Sequence, residues 1–128
     1  MPTPRPVKLT APAERSSVRL VRILAAGVAA DAGLSIDDTE DLRIAVSELV
    51  ALLVDGVSDG STIEVEFGRS DGEVVVEGQR QAVTGEAEPA DVDDLVLGIL
   101  RVVVDDHTFD TSDGGRRFHL VKRARVAS

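Results

Sequence analysis

Glu48 is the first side chain in this sequence whose type and setting suggest chemistry. From Glu40 to Gly56, Leu42, Val46, Leu49 and Leu53 recur at helical spacing and form one apolar stripe. Asp41, Ala45, Glu48, Leu52 and Asp55 form a second stripe, about a quarter turn away. Glu48 therefore stands on the flank of a buried helix, where a carboxylate is paired, solvated in a cleft, or used as a base. Arg15, Arg19 and Arg22 share a face of an earlier helix. Most exposed arginines only solvate a surface. Their planar, bidentate donors also recur at protein interfaces, so Arg19 and Arg22 are the candidate partner-binding residues. Asp105, Asp106, His107, Asp110 and Asp113 invite a metal reading. Their spacing is not that of a calcium loop, Asp113-Gly114-Gly115 reads as turn chemistry, and no metal site is assigned. Arg116, Arg117, Lys122, Arg123 and Arg125 are expected to line a solvated edge strand that resists unwanted pairing.

The elements that must position these groups follow from periodicity. Residues 1–6 are Pro-rich and expected to be loose, and Val7 to Thr10 reads as a short strand. Ala13 to Ala32 reads as a helix whose stripe is Leu20, Ile23, Leu24, Gly27 and Val28, with Gly33 as its stop. Ser35 caps the next helix, which runs to about Asp55, with Asp38 near its N-terminal dipole. Ser61 to Gly68 alternates with Ile63, Val65 and Phe67 inward, and Asp71-Gly72 turns it into a return strand over Glu73 to Gly78. Gln79 to Ala90 reads as a loop. Asp91 to Asp105 reads as a helix with the stripe Val92, Leu95, Val96, Ile99 and Val103. A hairpin of His107 to Thr111 and Arg116 to Lys122 closes the domain, taken as residues 7–123, and 124–128 is a basic tail. The order β-α-α-β-β-α-β-β predicts an α/β (α+β) protein, a two-layer sandwich with helices on one face of a mainly antiparallel sheet.

Composition sets outer bounds. The chain has 128 residues, 43% of them hydrophobic, enough for one domain with its own core. Net charge is −9 and the pI is near 4.6, which argues against nucleic acid and anionic membrane surfaces but leaves a basic protein partner open. There is no Cys, so disulfides and thiolate metal sites are excluded. No apolar run spans a bilayer and no signal core follows the N-terminus, so the expected location is cytoplasmic.

The stretch from Leu20-Val21-Arg22 to Ile44-Ala45-Val46-Ser47-Glu48 resembles the bacterial anti-sigma-factor serine kinases of the histidine-kinase-like ATPase superfamily. The most specific parts are Gly27-Val28-Ala29 with Asp38 through Glu48, and Val104-Asp105-Asp106 with the strand Phe118 to Lys122. The resemblance implies the histidine-kinase-like ATPase fold over residues 7–123. In that family a first motif pairs a Glu with an Asn four residues on, the Asn giving Mg²⁺ an oxygen ligand. Here Glu48 is kept, Leu52 replaces the Asn, and Gly56 takes the polar place one turn later. A second motif uses an Asp against adenine and a Gly for close approach, and these positions are Gly78 and Arg80. A third places backbone N–H groups on phosphates at the start of the last helix. Here Asp91, Asp93 and Asp94 stand there, and each like-charge pair at 4 Å in an effective dielectric near 20 costs about 4 kcal/mol before screening. The implied protein is a degenerate member with no cofactor. It would bind a sigma factor, an anti-anti-sigma antagonist, or both, and the family's Arg on the first helix, which touches both partners, matches Arg22. The resemblance also allows a homodimer. The alternative is a divergent serine kinase phosphorylating an anti-anti-sigma protein, with ATP, Mg²⁺ and Glu48 as base.

Overall fold

The computed structural model describes residues 4–56, 60–81, 92–112 and 115–125. The elements run β1 (Val7–Pro12), α1 (Arg15–Asp31), α2 (Ile36–Val54), β2 (Thr62–Ser70), β3 (Glu73–Arg80), α3 (Asp94–Val103), β4 (Asp106–Ser112) and β5 (Gly115–Arg123). The expected order is therefore present, and among the described residues the two layers are a five-stranded sheet and three helices. The sheet order is β1-β2-β3-β5-β4, antiparallel throughout. α1 and α3 both pack on α2, which lies over β3 and β5.

Alternation decides which residues face the helices. Cross-strand rows on that side read Val7–Phe67–Val76–Leu120–His107 and Leu9–Val65–Gly78–Phe118–Phe109. Phe67, Val65, Val76 and Leu120 are fully buried there, against Leu42, Val46, Leu49 and Leu53 of α2. That stripe of α2 is the one its periodicity predicts. Its start is also as expected, since the Asp38 N–H donates to Ser35 Oγ at 3.1 Å. Gly56, just past its end, has φ +66°, and Gly72 in the β2–β3 turn has φ +75°, conformations that L side chains rarely adopt.

Four expectations are corrected. In α1 the buried stripe is Ser17, Val21, Ala25, Val28 and Ala29, whereas Leu20 and Ile23 are 52% and 58% exposed. The helical period holds but its phase is shifted, because small residues let α1 lie close on α2 and displace the bulkier stripe outward. In α3, Leu100 and Val103 are buried while Leu95 is exposed, and Val92 precedes the helix, whose cap is Asp93 Oδ1 accepting from the Leu95 N–H at 3.0 Å. β5 is no edge strand: it lies between β3 and β4, so Arg116 and Lys122 are buried at 7% and 4% exposure. Gln79 and Arg80 extend β3 rather than opening the loop, and most of that loop, with Asp91, Asp113 and the last three residues, lies outside the described residues.

Candidate functional site

Two regions hold the residues singled out by the sequence. The first lies along the flank of α2 and the adjoining end of the sheet. Glu48 is half-buried, and it joins none of the ion pairs among the described residues. One turn on, Leu52 packs its side chain against the hydrophobic core. Its carbonyl does not reach solvent unpaired: Arg116 Nη1 donates to Leu52 O at 2.7 Å and to Asp55 O at 2.6 Å, satisfying two carbonyls at the C-terminal end of the helix. Arg116 thus acts as a side-chain cap delivered from the neighbouring layer.

Beside it, Gly78 and Phe118 are register partners on β3 and β5. A Cβ added at Gly78 would stand 2.6 Å from Phe118 Cζ and 2.8 Å from Cδ2, so the ring occupies the volume that any side chain at position 78 would need. Gly78 is in a strand interior, where glycine signals close approach by another group, and that signal was legible without coordinates. Gly78→Ala is expected to cost about 1–3 kcal/mol by overpacking against Phe118, read as a lower urea midpoint at unchanged m.

The second region is the outer face of α1. Arg19 and Arg22 are exposed, three residues apart on one face, with Arg15 one turn before Arg19. Leu20 and Ile23 emerge beside them, so large apolar side chains and guanidiniums share one solvent-facing surface. The arginines are exposed, as their place off the apolar stripe implies, whereas Leu20 and Ile23, which the helical period places in the core, emerge beside them.

At the opposite end of α2 a cluster that the sequence did not reveal ties the C-terminal end of β5 to the start of the helix. Asp38, 2% exposed, lies 3.5 Å from Lys122 Nζ and 3.3 Å from Arg125 Nε, and it accepts from the Arg125 N–H at 3.0 Å. Asp41 shares Lys122 at 3.5 Å and also pairs with Arg125. Burial alone would raise the Asp38 carboxyl. The Arg125 N–H, the Ser35 hydroxyl and the Lys122 charge together outweigh it and hold Asp38 below the usual carboxylate value. Arg125, itself largely exposed, therefore reaches back to the buried Asp38 instead of belonging to a free tail.

Elsewhere, Asp105 Oδ2 accepts from the Arg123 N–H at 2.7 Å, and among the described residues no group of three or more His, Cys, Asp or Glu is placed to hold a metal. No helix among them is long and apolar enough to cross a membrane.

An antiparallel five-stranded sheet under three helices, with α2 over β3 and β5, is a fold shared with a solved structure. The RsbU and RsbW domains of Rv1364c from Mycobacterium tuberculosis align with a TM-score of 0.69 at 23% identity, over 99% of this chain and 35% of that chain, a likeness of fold. No family model matches the sequence. The serine-protein kinase RsbW of Halalkalibacterium halodurans is 37% identical over 65 residues, 50% of this chain and 40% of that protein. The chain thus spans less than half the length of the relatives it matches.

Proposed function

We propose that this chain is an anti-sigma-type regulator that works by binding, through the exposed face of α1, a sigma factor, an anti-anti-sigma antagonist, or both in competition. The observation that carries the reading is the surface formed by Arg19, Arg22, Leu20 and Ile23. Arginine is enriched at interface hot spots, exposed large apolar groups mark protein contacts, and among the described residues this face is left open to solvent. Occupying a sigma factor's docking surface inhibits it without chemistry, and a competitor releases it by mass action.

The reading includes a degraded nucleotide site. Leu52 offers hydrocarbon where Mg²⁺ would require an oxygen, and Mg²⁺ is bound by oxygen donors. Phe118 fills the place of an adenine-binding side chain at position 78. The residues present do not fit Mg²⁺-ATP, and no catalytic step is drawn through it. Calorimetric titration with ATP, with and without Mg²⁺, is expected to show no micromolar binding, and such binding would overturn this part of the proposal.

A kinase reading keeps one supporting observation: Glu48 is retained, half-buried and free of ion pairs among the described residues. Labelled ATP incubated with an anti-anti-sigma protein separates the two. Phosphate transfer that disappears in Glu48→Ala supports the kinase, and regulation that survives Glu48→Ala supports binding alone. The partner itself is sought by copurification from a bacterial lysate followed by mass spectrometry. Recovery of a sigma factor or its antagonist is expected, and recovery of neither would favour a scaffolding role.

A further inference from the structure

Next to the Gly78–Phe118 row, the helix-facing side of the sheet carries a row that reads Ala11–Ile63–Arg80–Arg116–Thr111. Two arginines therefore stand directly opposite each other on β3 and β5, the one half-buried and the other 7% exposed. Arg116 uses Nη1 to hold the end of α2, which fixes the plane of its guanidinium. Among the described residues its buried Nε meets no hydrogen-bond partner, and neither does the Nε of Arg80. Neither residue joins an ion pair among the described residues, although the chain as a whole carries nine excess negative charges. Loss of water, and then the charge of Arg116, hold the Arg80 guanidinium below its ordinary value.

Buried donors without acceptors are rare, and adjacent cations without a counter-charge rarer still. The fork of a guanidinium, its Nε edge included, matches the paired oxygens of a carboxylate or phosphate. We infer that Arg80 and Arg116 form a binding site for a small, doubly charged oxyanion of the phosphate class. Two fixed positive charges match two negative ones, and tetrahedral oxygens can accept from two forks at once. Arg80, half-exposed, forms the solvent side of the site and Arg116 its floor. With Phe118 filling the neighbouring row, the site holds the oxyanion without a purine attached to it.

The experiment uses the full chain and follows thermal unfolding in sodium phosphate against sodium chloride at equal ionic strength. Wild type is expected to show a saturable rise in midpoint with phosphate alone. Arg80→Gln is the informative variant, because Arg116 also supports α2. It should bind phosphate roughly tenfold more weakly or worse, and should be more heat-stable than wild type without phosphate, since a like-charge repulsion is gone. Broadening of the ³¹P resonance by wild type, and its loss in Arg80→Gln, gives a readout independent of stability. Glycerol 3-phosphate tests the source: equal binding assigns the site to phosphate esters, and binding of inorganic phosphate alone assigns it to the free ion. Equal responses to phosphate and chloride, or an Arg80→Gln variant that responds like wild type, would overturn the proposal. A carboxylate of the chain itself neutralising the pair would appear as the first of those results.

Discussion

Asp38→Asn is expected to lower stability at pH 7 by about 3 kcal/mol, near the lower end of what breaking a buried ion pair costs. The substitution keeps the shape of the side chain and removes its charge. Lys122, 4% exposed, then shares only Asp41, and the Arg125 N–H loses a charged acceptor. Asp41→Asn should cost less, because the Asp41 side chain is 19% exposed and water can replace part of what is lost. Urea denaturation checks both values, and a loss below about 1 kcal/mol for Asp38→Asn would reduce the cluster to an ordinary surface pair. The pH dependence has a fixed sign. The folded Asp38 carboxyl lies below its ordinary value of 3.8, so its contribution is complete above that pH and fades as the pH falls through the lower, folded value. The gap between wild type and Asp38→Asn should thus be constant from pH 7 to about 5 and narrow below about 4.

The charge reversal Arg19→Glu/Arg22→Glu is expected to weaken binding of the copurified partner by about 100-fold or more, close to 2.7 kcal/mol. Stability should change by no more than about 0.5 kcal/mol, since both side chains are exposed and join no ion pair among the described residues. Leu20→Ser adds an apolar test of the same face, where a polar replacement removes contact area without touching the core. Biolayer interferometry against the partner gives the affinities, and circular dichroism confirms that the fold is intact. Undiminished affinity in the double variant would move the docking surface away from α1.

The fold was legible because most of its signals are local. Ser35, Gly56 and the Asp71-Gly72 turn mark element boundaries by their own chemistry, and the alternation Ile63, Val65, Phe67 sets the inward face of β2. What failed depends on contacts distant in sequence. Size and period favour Leu20 and Ile23 inward, but α1 packs mainly on another helix, and Ala25 and Ala29 permit closer packing there. The edge assignment of β5 failed because strand order is not written in a hairpin, although one clue was present. Arg116, Phe118, Leu120 and Lys122 alternate together, so either all four face the helices or none does. The pairing of Gly78 with Phe118 required the register of two strands separated by a helix and another strand.

The position of β5 also bears on how the molecule is made. It is the last strand of this sheet in sequence among the described residues yet lies between β3 and β4, so a nascent chain leaving the ribosome carries an incomplete sheet until residues near Arg123 emerge. Until then the open edge of β3, with Val74 and Val76, is an attachment point for other unfinished chains. Premature stop codons inside the final strand should therefore send the product to aggregates or proteolysis rather than leave a shortened domain.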